Sequence, residues 1–109
     1  MEYRTLITEP AARDMLEAFS YISEILHEPR AARRFYAQMK KSIDSLSVMP
    51  QRHRMVFEQP YASMGVRRLP VQEYVILYLV EEETATVYIL RVLYGRREWQ
   101  QLLGQDFQS

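Results

Sequence analysis

Two runs of residues decide the fold: YVILYLV at positions 74–80 and TVYILRVL at positions 86–93, joined by the polar segment EEETA. Their β-branched and aromatic residues favour extended backbone. The first run is almost continuously apolar, which is typical of a central strand covered on both faces. The second run alternates, so one face is predicted to carry Val87, Ile89, Arg91 and Leu93, and the other Tyr88, Leu90, Val92 and Tyr94.

The same sheet is predicted to continue on both sides of this hairpin. Upstream, residues 66–69 form a plausible strand that Pro70 closes. Downstream, Gly95 ends the last strand, and residues 96–103 are predicted to form a short terminal helix. Residues 50–64 are predicted to be a connecting segment of undefined shape.

The first half of the chain predicts one strand and two helices. A short strand over residues 3–7 leads to Thr8, which suits a helix N-cap, and Pro10 suits the first helical turn. Pro29 begins the second helix, and the short linker before it predicts an antiparallel pair. Apolar residues at three- and four-residue steps form one stripe on each helix: Ala12, Met15, Phe19, Ile22 and Leu26, then Ala32, Phe35, Met39, Ile43 and Leu46.

The predicted order is therefore β-α-α-β-β-β, an α+β fold. An N-terminal helical hairpin is expected to pack on one face of a twisted antiparallel sheet, with a short C-terminal helix at the end. A length of 109 residues suits one domain, so residues 1–109 are expected to form a single unit.

Composition narrows the classes of function. The chain has no cysteine, which excludes disulfides and Cys-based zinc sites. His27 and His53 are isolated from acidic residues at ligand spacing, so no metal or other cofactor is expected. The N-terminus lacks the apolar core of a signal peptide, and the run from Val75 to Val80 is too short to span a membrane. We therefore expect a cytoplasmic protein.

The charge is balanced overall but unevenly placed. Net charge is zero, with 14 basic and 14 acidic residues, so no strong overall field attracts nucleic acid. After position 48, every basic residue is an arginine: Arg52, Arg54, Arg67, Arg68, Arg91, Arg96 and Arg97. Arginine favours planar, forked contacts to carboxylate or phosphate, which allows either a local basic face or ordinary surface charges.

Three stretches give the chain a family resemblance. They are VRRLPV at 66–71 followed by YVILY at 74–78, VYILRVLYGRREW at 87–99, and PAARD at 10–14 with the Pro29 break. In these stretches, and in the order of its elements, the chain resembles the RelE/ParE superfamily of toxins from type II toxin–antitoxin systems. The segment from Arg91 to Trp99 is the most specific part. The resemblance implies a small toxin neutralised by a cognate antitoxin.

The resemblance implies two possible modes of action. RelE-like members cut mRNA in the ribosome, whereas ParE-like members block DNA gyrase without nuclease activity. The nuclease pattern has cations at two alternating positions of the second strand and another early in the third, where this chain has Arg68 but also Val66 and Val75. Arg97 matches the arginine after the fourth strand, but Leu103 stands near the terminal tyrosine position. Because each missing cation typically costs about 10²–10³ in rate, the ParE-like mode is favoured.

Several side chains are candidates for function. If the chain is a ribosome-dependent, metal-independent nuclease, the catalytic set would be Arg68, Arg91, Arg97 and Tyr94. The candidates for binding the target or the antitoxin are Arg67, Arg68, Tyr74, Arg91, Tyr94, Arg96, Arg97 and Trp99. Two of them have structural alternatives, because Arg91 can instead pair with a carboxylate such as Glu73, and Trp99 can anchor the terminal segment.

The expected partners follow from the resemblance. They are a cognate antitoxin, which often binds through an amphipathic helix, and DNA gyrase. The alternatives are the ribosome and mRNA, or a family relic that acts as a binding module without toxicity.

Overall fold

The computed structural model describes residues 2–95, in which two helices lie on a four-stranded sheet. The strands are β1 (Arg4–Ile7), β2 (Arg67–Val71), β3 (Tyr74–Glu81) and β4 (Thr86–Tyr94). Their order across the sheet is β1-β4-β3-β2. The predicted α+β architecture and order of elements are confirmed for these residues.

The sheet is mixed, because β1 pairs in parallel with β4, whereas the other neighbours are antiparallel. The prediction of a wholly antiparallel sheet therefore holds for β2, β3 and β4 alone. Residue pattern shows which segments become strands, but it does not fix the direction in which strands far apart in sequence pair. Here β1 covers only the first half of one edge of β4, from Thr86 to Ile89.

The β3–β4 pairing contains a register shift that changes which residues share a face. Tyr78 lies opposite Ile89, whereas Leu77 lies opposite Arg91, so Leu90 is an extra residue in β4. Such a bulge breaks the alternation of side chains. Val87, Ile89 and Val92 consequently belong to one apolar cluster and Leu93 to the other, so the alternation predicted for the whole strand is wrong after Leu90.

The helices are α1 (Glu9–Ser20), which continues as a wider π-helical turn (Tyr21–Ile25), and α2 (Pro29–Asp44). All five predicted stripe residues of α2 and the turn after it are buried: Ala32, Phe35, Met39, Ile43 and Leu46. The stripe of α1 is rotated from the prediction, because Ala11 is buried in place of the exposed Ala12, and Leu26 is 50% exposed. Within residues 2–95, no helix is long and apolar enough to cross a membrane.

The segment between α2 and β2 is ordered by polar contacts with the sheet. It contains 3₁₀ turns at Ser45–Ser47 and Pro50–Arg52 and the short helix α3 (Tyr61–Met64). The buried hydroxyl of Tyr78 donates to the Pro50 carbonyl at 2.6 Å, and Arg67 Nη1 donates to the carbonyls of Gln51 (3.0 Å) and His53 (2.7 Å). These contacts give the segment a defined shape that sequence reasoning missed.

His53 makes this segment sensitive to pH. Its Nε2 atom is buried with no hydrogen-bond partner in the described part of the chain, and its ring packs edge-on against Tyr78. Burial lowers the pKa of His53 below its ordinary value of 6.5, and the positive charges of Arg52 and Arg67 lower it further. The folded state therefore disfavours the protonated ring.

We expect the protein to lose stability on acidification because the unfolded chain binds a proton at His53 before the folded chain does. This contribution is complete above pH 6.5 and is lost as the pH falls towards the lower folded pKa. In urea unfolding at about pH 7.5 and 5.5, His53→Phe should reduce the pH dependence of the free energy of unfolding relative to the parent protein. An equal pH dependence in the His53 variant and the parent protein would contradict this account.

Candidate functional site

An open cleft of about 1110 Å³ lies between the two helices, the β2–β3 turn and the end of β4. We call it the helix–strand cleft. Its apolar lining includes Ala18, Tyr21, Ile22, Leu26, Phe35, Tyr74 and Tyr94, and its polar lining includes Asp14, Glu17, Arg34, Lys41, Glu73 and Arg91. Three sequence-predicted residues, Tyr74, Arg91 and Tyr94, are thus brought together.

Aromatic rings form one wall of the cleft. The ring centroids of Phe35 and Tyr74 lie 4.8 Å apart, and those of Tyr74 and Tyr94 lie 5.2 Å apart in an edge-to-face arrangement. Phe35 is buried, whereas Tyr94 is 56% exposed. The buried ring of Phe35 thus packs on Tyr74, and Tyr74 packs on the exposed ring of Tyr94, which leaves a preformed apolar surface on this wall.

Exposed apolar side chains extend this surface onto the helical hairpin. Tyr21 is 52% exposed and Leu26 is 50% exposed, and both line the cleft. Large apolar groups left in water beside a concave surface commonly mark a site where another protein binds. The charges that line the cleft are of both signs, with Glu17 and Glu73 acidic and Arg34 and Lys41 basic.

Asp14 fixes Arg91 at the edge of the cleft. Arg91 Nε donates to Asp14 Oδ2 at 2.7 Å, and Nη2 donates to Oδ1 at 3.0 Å. Asp14 Oδ2 also accepts a hydrogen bond from the Val92 backbone N–H at 2.9 Å. The Asp14 side chain is 11% exposed and that of Arg91 is 33% exposed, so this forked ion pair is largely shielded from water.

This pairing revises the two readings of Arg91. Arg91 pairs with a carboxylate, as one of the two alternatives expected, but the partner is Asp14 of α1 and not Glu73 of the β2–β3 turn. Asp14 lies outside the apolar stripe that the sequence predicts for this helix. The available signal was the spacing of Ala11, Asp14 and Ala18, because two small residues let α1 approach β4 and bring the carboxylate between them onto the strand.

The structure separates the two arginines of β2. Arg67 contacts the carbonyls of Gln51 and His53, so its guanidinium group stabilises the connecting segment. Arg68 lines a second depression of about 330 Å³, which it shares with Tyr94 and Gly95. Of the two, Arg68 is the better placed to meet a partner.

The nuclease pattern is interrupted by buried side chains. Val66 is fully buried and Val75 is 5% exposed, and both belong to the apolar cluster on the sheet face away from the two helices. These are the positions at which the RelE-like pattern has cations. Within residues 2–95, no group of three or more metal-ligating side chains is present.

Three predicted site residues, Arg96, Arg97 and Trp99, and the predicted terminal helix lie outside the described residues. Their assignment as binding residues remains a prediction from the sequence. Tyr94 and Gly95, which precede these residues in the chain, line the second depression.

Comparison with known proteins gives consistent matches. The family model described as the ParE toxin of the type II toxin–antitoxin system parDE matches residues 6–99. No curated protein gives a significant match.

Among solved structures, the chromosomal ParDE toxin–antitoxin system from P. aeruginosa gives a TM-score of 0.71 at 20% identity, covering 87% of this chain and 98% of that one. The RelBE2 toxin–antitoxin complex from Mycobacterium tuberculosis gives 0.62 at 26% identity, covering 86% and 92%. A double mutant of the E. coli toxin RelE in the free state gives 0.64 at 15% identity, covering 98% and 99%. The ParDE and RelE likenesses, at such low identity, show a shared fold.

Proposed function

Because the chain belongs to the ParE toxin family of the type II toxin–antitoxin system parDE, we propose that it arrests growth by binding DNA gyrase. We also propose that a cognate antitoxin neutralises it by occupying the helix–strand cleft. The observation that carries the proposal for gyrase is the burial of Val66 and Val75 where a nuclease of this fold needs cations.

With valine at both positions, the site lacks cations that RNA cleavage requires. Cleavage of RNA through its 2′-hydroxyl builds negative charge on the phosphate, which positioned cations must stabilise. Valines packed in an apolar cluster cannot supply that charge or move aside without exposing the core. Arg91 is held by Asp14, which further reduces the cationic groups available to a phosphate. Binding to a protein target needs none of this chemistry.

The cleft suits an antitoxin segment because it combines exposed apolar groups with charges of both signs. An amphipathic helix can place its apolar residues on Tyr21, Leu26 and Tyr94. Its charged residues can then meet Arg34 and Lys41 on one side and Glu17 on the other. Two of the structurally similar proteins are named as ParDE and RelBE2 toxin–antitoxin assemblies, which supports a partner of this kind.

A matched pair of substitutions tests the docking site. Leu26→Arg places a charge in the cleft, whereas Leu16→Arg places the same charge on α1 at a residue that is 63% exposed and does not line the cleft. We expect Leu26→Arg to weaken binding of the cognate antitoxin by about tenfold or more, and Leu16→Arg by less than about twofold, in calorimetric titrations. Equal affinities for the two variants would show that the antitoxin docks elsewhere.

The gyrase proposal has a direct biochemical test. Purified toxin is expected to inhibit DNA supercoiling by purified gyrase, and a stoichiometric amount of antitoxin is expected to restore it. Supercoiling that proceeds unchanged at toxin concentrations sufficient to arrest growth would contradict gyrase as the target.

The second candidate function is ribosome-dependent cleavage of mRNA. It is favoured by one juxtaposition, because Arg68 and Tyr94 line the same depression and could together contact a phosphate and exchange a proton. This candidate requires cleaved transcripts in cells that express the toxin.

A further inference from the structure

Arg68 is a half-buried cation, and its guanidinium group makes no ion pair or hydrogen bond within residues 2–95. The neighbouring arginines of the sheet differ from it. Arg67 donates to two main-chain carbonyls, and Arg91 donates to the Asp14 carboxylate. A guanidinium group that is partly withdrawn from water loses hydration, and in Arg68 no described group replaces it. The position therefore favours an acceptor supplied by another molecule.

The surroundings of Arg68 are apolar. Val66, two positions earlier in the chain, and Val75 of β3 belong to the apolar cluster on the sheet face away from the two helices. Val75 lines the second depression together with Pro70, and the exposed Tyr94 also lines it. A side chain that enters the depression thus meets apolar groups along its length and one guanidinium group at its polar end.

The charge in the second depression suits a single carboxylate better than a nucleic acid. Among the described residues that line it, Arg68 is the only cation, and Glu73 contributes a negative charge. A phosphate backbone brings a row of negative charges and needs several cations. One guanidinium group instead matches one carboxylate, with two parallel hydrogen bonds. A protein ligand with an acidic side chain therefore fits the depression.

We propose that the second depression receives an Asp or Glu side chain of gyrase, whose carboxylate pairs with the Arg68 guanidinium group. This inference rests on the proposed function, in which gyrase is the target. The methylene groups of the acidic side chain pack on Val75 and Pro70. The same apolar groups keep water from the ion pair, which strengthens the attraction between the two charges.

The second depression adjoins the helix–strand cleft, because the same residues of the β2–β3 turn and the end of β4 line both. These shared residues are Gln72, Glu73, Tyr74 and Tyr94, whereas Arg68 lines the second depression and not the cleft. An antitoxin segment that lies in the cleft and covers Tyr94 obstructs the approach of gyrase to Arg68 without contacting Arg68. Antitoxin and gyrase consequently exclude each other, although they use different ionic contacts.

The test measures the affinity of toxin variants for purified gyrase and, separately, for the full-length antitoxin. Arg68→Gln removes the charge and is expected to weaken gyrase binding by about tenfold or more. Its affinity for the antitoxin should change by less than about twofold, because Arg68 does not line the cleft. Arg68→Lys keeps the charge without the forked geometry and should lose less affinity for gyrase than Arg68→Gln.

Arg54→Gln is the matched control. It removes the same charge from an exposed residue that lines neither the cleft nor the second depression, although the Arg54 carbonyl accepts from the Arg68 N–H in the adjacent chain. This variant is expected to bind gyrase as the parent toxin does. Equal gyrase affinities for Arg68→Gln and Arg54→Gln would overturn the inference.

The outcomes separate this inference from the proposed function. Parent toxin that does not bind gyrase would reject the proposed function and the inference with it. Parent toxin that binds gyrase, with Arg68→Gln binding equally well, would reject the inference alone. If Arg68→Gln abolished transcript cleavage in cells but left gyrase affinity unchanged, the guanidinium group would belong to a phosphate contact with mRNA. Equal losses of affinity for gyrase and antitoxin would overturn the separation of the two contacts.

Mutual exclusion has its own measurement. Full-length antitoxin added to a preformed gyrase–toxin complex is expected to release free gyrase in size-exclusion chromatography, with the toxin eluting together with the antitoxin. A stable complex that contains gyrase, toxin and antitoxin would contradict the role of the residues shared by the cleft and the second depression.

Discussion

Replacement of both Arg96 and Arg97 by alanine is expected to abolish growth inhibition. The two guanidinium groups directly follow Gly95, which ends β4 with a left-handed φ of 71°. Residues that follow a strand end in this way are typical positions for contacts with a target. Each charge-assisted hydrogen bond contributes about 1.5–3 kcal/mol, so the loss of two such side chains weakens target binding by about 100-fold or more.

The measurement is the growth of cells after induction of the variant, together with thermal unfolding of the purified protein. A matched control is the double variant Arg30→Ala with Arg33→Ala, which removes the same charge from exposed residues of α2 that do not line the cleft. The control is expected to remain toxic. Full toxicity of the Arg96 and Arg97 double variant would show that the target-binding residues lie elsewhere.

The substitution Asp14→Ala is expected to destabilise the fold by about 2–3 kcal/mol. It removes both hydrogen bonds from the Arg91 guanidinium group and the acceptor of the Val92 N–H. Removing one partner of a fully buried pair costs about 3–5 kcal/mol, and the 33% exposure of the Arg91 side chain reduces that cost because water can solvate it. The loss of the β4 edge contact adds to the effect.

Urea unfolding at neutral pH measures this cost. Glu9→Ala is the matched control, because Glu9 pairs with Arg13 on the same helix but with side chains that are 87% and 62% exposed. The control is expected to change stability by less than about 0.5 kcal/mol. Asp14→Asn should restore part of the loss, since its carbonyl oxygen can accept from Val92. An Asp14→Ala variant as stable as the Glu9 control would contradict the structural role of this ion pair.

Local patterns in the sequence predicted most of the fold. The apolar run of β3 and the stripe from Ala32 to Leu46 locate their elements because burial imposes a period on the residues. The capping role of Thr8 is also confirmed, since its hydroxyl accepts from Ala11 N–H. Each of these features depends on residues close together in the chain.

The features that the sequence could not predict depend on residues far apart. The Leu90 bulge shifts the faces of β4, although nothing in the run TVYILRVL marks the extra residue. The parallel pairing of β1 joins residues about 80 positions apart. Arg91 was recognised as needing a partner, but the identity of Asp14 required the packing of α1 on β4.

In the candidate site too, the sequence predicted features that depend on local pattern and missed those that depend on residues far apart. The sequence identified Tyr74, Arg91 and Tyr94, and the structure places all three on the helix–strand cleft. The sequence also has valines, Val66 and Val75, where the nuclease pattern has cations. Both are buried, so a small rearrangement of the sheet cannot bring a cation to either position. Arg67 illustrates the limit, since its bonds to Gln51 and His53 depend on a loop whose shape the sequence did not define.

The most direct test of the central claim is expression of the toxin in cells, with the DNA damage response and the integrity of mRNA measured in the same samples. Inhibition of gyrase predicts an early DNA damage response while transcripts remain intact. Cleaved transcripts with prompt arrest of translation, and no DNA damage response, would contradict the claim and identify the ribosome as the target.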